Sequence, residues 1–402
     1  MENIIVVGNG DVFHRFIAPS LELLEHEGRA KTLCTIDIRQ RADLEYLSEK
    51  IEHRIRTPDE KLSDLLEDKK NESPIVILSH DTDMHYSDSK ELLNSGFRVM
   101  LEKPYVSSAQ QFKDFEKLVS ENSGRIFLME YYLMRKMSPL FVLSGLIDKN
   151  SFYMNPNEVF REKNSDKKIN SYLGVLQEIL GDPVSLKIKI IESQGDSGKV
   201  DHRGAHVFDK RRGGGMIQDM GIHALIPIFS LENYIGNLTL SNENSHPKIA
   251  SSKDFYKIAK DKYNLSENFI AETYAEMNFI TDRNIPIQVS VGKYVADNRT
   301  QKNLIFQGEK GKIDLNMHEN HLNIYEGKKV IGRIDLVNLK RSRYYPVLRS
   351  GIEFFSNNNP LLHNPYSIQM QSQKLVLDTL SKLNPEKIIL YDNGEKPENI
   401  FI

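Results

Sequence analysis

The sequence predicts two domains of different class. An N-terminal α/β domain on a parallel sheet precedes a larger α+β domain whose sheet is mostly antiparallel. Three observations predict this. Short continuous apolar runs alternate with amphipathic stretches through the first third of the chain, the pattern of strands buried on both faces and joined by helices. After about Pro139 the pattern changes to strict alternation, clearest at Val184, Leu186, Ile188 and Ile190, which fits half-buried strands. The chain has 402 residues, more than a single hydrophobic core usually supports.

The elements follow in order. Ile4 to Val7 reads as a buried strand, Gly8-Asn9-Gly10 as a turn, and Phe16, Ile17, Leu21 and Leu24 as the inner face of a helix. Lys31 to Ile38 is a second strand, with Cys34 as a small core residue. Leu62, Leu65 and Leu66 suggest a short helix. Pro74 to Ser79 is a third strand, followed by a helix through Leu92 and Leu93. Arg98 to Leu101 and Ile126 to Met129 complete the sheet. The boundary falls near Arg135 to Pro139, which gives domains of 1–135 and 136–402. In the second domain, strands are expected at 184–190, 272–279, 285–291, 303–307, 312–316 and 322–325, with hairpin turns at 308–311 and 326–328. A last amphipathic helix spans about 368–383. The polar stretches 155–170, 195–212 and 242–253 read as loops.

Composition removes several classes of function. The formal charge of −3 is far from that of a basic nucleic-acid binder. One cysteine allows no intrachain disulfide and no cysteine-based metal cluster. No eighteen-residue apolar run and no signal-peptide core are present, so a cytoplasmic protein with no membrane partner is expected. The spacings of His80, His85, His206 and His223 match no standard metal-ligand set, and no metal is expected.

Four motifs carry chemistry. Gly8-x-Gly10 lies between a strand and a helix, where amide donors and the helix dipole can receive a pyrophosphate. The third position of the usual glycine pattern holds Phe13, which implies a helix set further from the sheet. Asp37 ends the second strand, where an acid can accept bonds from an adenosine ribose and repel a 2′-phosphate; this favours NAD. Arg39 and Arg41 follow closely and could receive that phosphate, so NADP stays open. Glu102-Lys103-Pro104 follows the fourth strand, at the sheet edge where such folds bind ligands, and its lysine can stabilise a developing alkoxide. Finally, Gly213-Gly214-Gly215 opens a helix on which Asp219 and His223, four residues apart, share one face. A histidine there can serve as general base toward a hydroxyl. Lys210-Arg211-Arg212, just before the glycines, is a solvated charge run or an anion-binding patch.

Together and in this order, these motifs resemble the Gfo/Idh/MocA family of NAD(P)-dependent oxidoreductases. The resemblance rests on Val6 to Gly10, on Glu102-Lys103-Pro104, and on Gly213 to Gly215 with Asp219, Gly221 and His223. It implies a Rossmann domain, an open-faced α+β domain and homodimer or homotetramer contacts through the large sheet. It also implies a nicotinamide cofactor and a sugar, cyclitol or sugar-derivative substrate, including phosphorylated or nucleotide-linked ones. By the same resemblance Lys103, Asp219 and His223 form the catalytic set. The cofactor would be met by Gly8, Gly10, Asp11 and Val12, by Asp37 and Arg39, by Ser79, His80 and His85, and by Glu102, Lys103 and Pro104. Arg135, Arg211 and Arg212 are candidate substrate contacts. Two alternatives stay open: an NAD-dependent glycosidase of the same fold without net redox change, and a non-catalytic NAD(P)-binding regulatory protein.

Overall fold

A computed structural model describes residues 1–38, 51–57, 59–130, 136–144, 160–162, 175–193, 200, 203–239, 247–295, 300–336, 344–357, 366–383, 388–392 and 395–401. The chain forms two compact units. The first comprises Met1–Met134 with Asn338–Tyr366; the second comprises Arg135–Val337 with Ser367–Ile402.

The first unit holds a six-stranded sheet of β1 (Glu2–Val7), β2 (Ala30–Asp37), β3 (Glu52–Ile55), β4 (Ile75–Leu78), β5 (Arg98–Leu101) and β6 (Ile126–Leu128). Every pairing is parallel, in the order β3-β2-β1-β4-β5-β6. This is the doubly wound order of a dinucleotide-binding sheet, with its switch point between β1 and β4. Buried runs such as Ile75 to Leu78 make the central strands, because helices cover both faces. Cys34 is fully buried in β2, and burial pushes its thiol up to about 11. β3 was not expected, since Glu52-His53-Arg54-Ile55 has no apolar run and no buried side chain. It survives as an edge strand through ion pairs of Arg54 with Glu52 and Asp68.

The first helix takes the chain from Gly10 to His26. It opens with a π-helical turn, Phe13–Ile17, in which the Ala18 N–H reaches back to the Phe13 carbonyl. Phe13 stands where a third glycine would give close packing, and its ring is buried in the core with Ile4, Val6 and Ile17. The extra residue in the turn makes room for that ring.

Residues 338–366 fall in this unit, although the sequence pattern assigns them to the 136–402 region. The reason is apolar packing. The helix Tyr345–Asn357 buries Val347, Leu348, Ile352, Phe354 and Phe355 against Leu21, Leu24, Met100 and Phe127. At Gly351 an added Cβ would lie 2.3 Å from the Met100 methyl carbon.

The described residues of the second unit form eleven strands. They are β7 (Phe160–Glu162), β8 (Pro183–Ser193), β9 (Leu238–Thr239), β10 (Lys248–Ser252), β11 (Tyr274–Thr281), β12 (Pro286–Val295), β13 (Gln301–Gly308), β14 (Gly311–Asn316), β15 (His321–Glu326), β16 (Lys329–Leu336) and β17 (Ile389–Tyr391). The order is β17-β10-β11-β12-β8-β13-β14-β15-β16-β7, with β9 beside β11. Among the described residues only the β8–β12 and β10–β17 pairs are parallel. All six strands expected from the alternating pattern are present. Val184 departs from its expected inward face and is 45% exposed at the start of β8, while Leu186, Ile188 and Ile190 are fully buried.

Two expected loops contain strands. In 242–253, Lys248–Ser252 is β10, whose small side chains are buried where Ser252 N–H meets the Thr273 hydroxyl. In 155–170, Phe160–Glu162 pairs with β16; the rest of that segment lies outside the described residues. The helix Met216–Ser230 packs on β12 and β8, and the expected last helix spans Tyr366–Ser381.

The packing of the returning helix is directly testable. Leu348→Ala removes a fully buried side chain and should cost the first unit about 2–5 kcal/mol. Urea unfolding followed in residues of that unit measures this. A loss under about 1 kcal/mol would mean that the helix is not part of its core.

Candidate active site

The first glycine turn is shaped by contacts on one side only. Gly8 has φ +97°, and a Cβ there would lie 2.6 Å from the His80 amide nitrogen. The Ser79 hydroxyl donates to the Gly8 carbonyl at 3.0 Å. Gly8 is therefore glycine because the turn presses on the β4 exit. At Gly10 an added Cβ would meet nothing within 4 Å. Its bare backbone faces open space at the start of a helix, which fits a phosphate approaching amide donors. Asp37 Oδ2 accepts the Asn9 N–H at 2.7 Å, so the acid at the end of β2 also braces the turn. Asp11 is exposed and pairs with Arg15 at 3.1 Å; Val12 packs partly against the core. Arg39 lies outside the described residues.

The Glu102-Lys103-Pro104 turn is anchored from three directions. Glu102 N–H donates to the Leu78 carbonyl at 3.0 Å. Its buried carboxylate accepts from the Tyr344 hydroxyl at 3.1 Å, and Tyr344 belongs to the returning segment. His85 Nδ1 lies 2.6 Å from the Pro104 carbonyl and Nε2 lies 3.1 Å from the His80 carbonyl. A neutral imidazole has one N–H, and the shorter contact assigns it to Nδ1. The Lys103–Pro104 peptide is cis. Between Leu101 and Val106 every residue but Lys103 is buried. The turn thus offers one functional side chain and fixes everything around it.

His85 is 1% exposed and acts on this turn from beneath. Burial, aided by the charge of His80, depresses its titration to about 3. His80 Nε2 meets Asp88 Oδ2 at 2.8 Å, and Arg56 clamps the same carboxylate at 2.6 and 3.1 Å. Burial works against the Asp88 anion, but His80 and Arg56 bring its titration below the usual range.

In the second unit, the glycines before Met216 are set by neighbours. A Cβ at Gly214 would lie 2.5 Å from the His206 carbonyl oxygen. At Gly215, with φ +105°, it would lie 2.7 Å from a Glu272 carboxylate oxygen. Glu272 is fully buried and caps the helix. Its Oε1 accepts the Ile217 N–H at 2.9 Å and its backbone carbonyl accepts that of Met216 at 3.3 Å. Burial raises the Glu272 titration. Sequence reasoning missed this cap because the acid lies far along the chain.

Lys210, expected in an exposed cationic patch, turns inward. Its ammonium is buried, makes no hydrogen bond among the described residues, and faces Glu272; burial lowers its titration. Arg211 forks onto Asp209 at 2.9 and 2.7 Å and stacks over Phe269 at 4.0 Å, so it braces its own loop. Arg212 is half-buried. Arg135 lies outside the described residues.

Asp219 and His223 emerge one turn apart on the Met216–Ser230 helix. From Gly214 to Ile228, Asp219 alone is not buried; His223 is 4% exposed. The Lys293 ammonium meets Asp219 Oδ2 at 2.9 Å. Neither Lys293 nor its neighbour Glu192, 3.9 Å away, was expected, since a lysine ending an apolar strand carries no motif. Among the described residues no group of three or more His, Cys, Asp or Glu side chains could hold a metal. None of the described helices is long and apolar enough to cross a membrane.

A parallel sheet in this order, with a glycine turn open over Gly10 at its switch point, defines a dinucleotide-binding type of domain. Residues 2–131 match the model of the oxidoreductase family with an NAD-binding Rossmann fold. Through this region the chain is similar to the Gfo/Idh/MocA family. It is an oxidoreductase with an NAD(P)-binding fold.

No curated protein sequence matches it. Solved structures share its fold over nearly the whole chain. An oxidoreductase of Thermotoga maritima aligns at TM-score 0.64 with 13% identity, covering 95% of this chain and 96% of the other. A 3-ketoreductase from Actinomadura kijaniata, in complex with NADP and TDP-benzene, aligns at TM-score 0.63 with 15% identity and coverage of 97% and 99%. Biliverdin reductase from Synechocystis, in complex with biliverdin and NADP+, aligns at TM-score 0.62 with 10% identity and coverage of 94% and 98%.

Two outcomes follow from the anchors. Gly8→Ala should destabilise the first unit, read as a lowered thermal midpoint, whereas Gly10→Ala should leave that midpoint nearly unchanged. Equal effects would contradict the one-sided packing. His85 is depressed in the folded state, so the unfolded chain binds the extra proton between about pH 6.5 and about 3. The stability it contributes is fully present above that window and lost as pH falls through it. The urea midpoint should therefore fall more steeply on acidification in the wild type than in His85→Asn; parallel curves would contradict a neutral, buried His85.

Proposed function

We propose that the chain transfers a hydride between a nicotinamide cofactor and a hydroxyl or keto carbon of a sugar, cyclitol or sugar derivative. The single observation that carries this reading is the selective presentation of two side chains, Lys103 and Asp219, with a buried His223 on the face of the second. Lys103 is the one residue of its turn that is not buried, and Asp219 is the one such residue of its helix start, with His223 one turn further on. The two reductases crystallised with NADP support the redox class, and the 3-ketoreductase crystallised with TDP-benzene supports a keto carbon on a nucleotide-linked compound.

A nicotinamide dinucleotide, when bound, supplies the hydride donor or acceptor. The residues that would hold it are the Gly8-Asn9-Gly10 backbone with Asp11 and Val12, Asp37 at the ribose, Ser79 and His80 at the β4 exit, and the turn carrying Lys103. Glu102, Pro104 and His85 serve by fixing that turn. Asp37 favours NAD, because a carboxylate repels a 2′-phosphate.

In this reading His223 takes the hydroxyl proton as alcohol becomes ketone, and returns it in the reverse direction. Lys103 polarises the same oxygen and stabilises negative charge on it. Asp219 orients the substrate through a second hydroxyl. Asp219 and Lys103 carry opposite charges, which suits a neutral polyol. Val330 and Ile331, about half exposed beside the turn into β16, are apolar surface that association into a homodimer or homotetramer would cover.

Lys103→Met and His223→Asn should each lower kcat/KM by about 10²–10⁴-fold on the best compound of a sugar, cyclitol and keto-sugar panel, read as nicotinamide absorbance. Unchanged turnover in either variant sinks the assigned roles. Gly10→Val should weaken cofactor binding at least tenfold without unfolding the chain, and Asp37→Ser should narrow the preference for NAD over NADP. Calorimetric titration with both dinucleotides reads each effect, and equal affinity for both in the wild type would remove the role of Asp37.

A further inference from the structure

The strand β12 does something at its end that no strand needs for pairing. Its register with β8 runs Gly292 opposite Ile191 and Lys293 opposite Glu192, then skips to Val295 opposite Ser193. The extra residue is Tyr294, at φ +59° and 1% exposed. A bulky side chain in the left-handed region is strained, and a bulge of this kind re-aims a neighbouring side chain. The side chain re-aimed here is Lys293. Its backbone N–H is held by the Thr273 carbonyl at 2.9 Å, and its ammonium lies 2.9 Å from Asp219 Oδ2.

The charges around this contact come from several elements. Asp219 approaches from the Met216–Ser230 helix. Glu192 on β8 stands 3.9 Å from the Lys293 ammonium and is itself bonded by Lys302 of β13. Among the described residues, Arg203 and Tyr294 also act on the Lys293 ammonium. Burial opposes the Lys293 ammonium, yet Asp219 and Glu192 outweigh it and hold the group above the ordinary lysine range. Lys302 takes up Glu192, which leaves Asp219 as the close carboxylate for Lys293.

We propose that Lys293, delivered by the Tyr294 bulge, is a positioning residue that keeps Asp219 ionised and fixes its carboxylate on the face it shares with His223. Lys293 takes Oδ2 of Asp219, and the carboxylate so held is the group that would meet a substrate hydroxyl. This rests on the reading of Asp219 as a substrate-orienting residue. It adds a residue that belongs to none of the motifs visible in the sequence.

The test follows the Asp219 carboxyl carbon in full-length protein labelled with ¹³C-aspartate, its signal assigned by its loss in Asp219→Asn. In Lys293→Met the Asp219 titration should move upward by about 1–3 pH units, and in Lys293→Arg it should stay at the wild-type position. If Lys293→Met does not fold, Lys293→Gln removes the same charge with a polar side chain. A neutral variant that leaves the titration unmoved overturns the proposal, because a merely structural lysine would behave so.

Turnover supplies the second arm. The acid limb of kcat/KM should shift upward with the Asp219 titration in Lys293→Met and return in Lys293→Arg, with the KM for the nicotinamide cofactor unchanged. Turnover lost in His223→Asn while Lys293→Met moves neither titration nor acid limb overturns the role of Lys293 and leaves the proposed reaction standing. A moved titration in a chain that turns over nothing upholds the Lys293–Asp219 pairing and removes the proposed reaction instead.

Discussion

The hydrogen bond from Tyr344 to the buried Glu102 carboxylate is the constraint on which the first unit depends for its chemistry. A carboxylate out of water is costly unless it is bonded, so this contact fixes where the turn after β5 can lie. His85 fixes the far end of the same turn through the Pro104 carbonyl. Between the two, Lys103 has little backbone freedom and a partly exposed side chain. The tyrosine arrives from a segment more than two hundred residues away in sequence, carried by a helix that buries Val347, Leu348 and Ile352 against the sheet. Apolar packing of that helix and polar anchoring of the turn are one device: the first supplies the energy, the second spends it on position.

The second unit solves the same problem with different parts. The helix that carries Asp219 and His223 is buried nearly all round, so it cannot rotate to change which residues it presents. Glu272 holds its first turn, and the two glycines at 214 and 215 are required by the backbone and carboxylate they touch. The sequence shows glycines at this helix start but not what requires them. The structure gives Gly214 and Gly215 a cause, close packing within the protein. The glycine at position 10 is the contrasting case, since among the described residues nothing lies within 4 Å of where its Cβ would be.

Local patterns exposed most of the sheet and most of the residues of the proposed site. The runs at 4–7, 75–78 and 98–101 are apolar enough to be strands in any context, and alternation located six strands of the second sheet. What escaped depends on distant partners. β3 is polar and held by ion pairs. β10 is made of small residues that pass for a loop. The helix Tyr345–Asn357 is plainly amphipathic, but nothing local says which sheet it covers. The same holds within the site. Lys103, Asp219 and His223 sit in recognisable spacings, whereas Tyr344, Glu272 and Lys293 are single residues brought in by topology. The inward turn of Lys210 was hidden for the same reason, because a run of three basic residues looks solvated until a buried acid is placed beside it.

The central claim is that these side chains are held in place for hydride transfer to or from a carbon bearing oxygen. Its most direct measurement uses reduced nicotinamide cofactor deuterated at the transferable position, offered with a panel of keto-sugars and keto-cyclitols, and mass spectrometry of the products. The account predicts one deuterium on the newly formed carbinol carbon, with matching oxidation of the cofactor, and loss of the label in Lys103→Met. Product formed without label and without net cofactor consumption, as in glycoside cleavage, would contradict it.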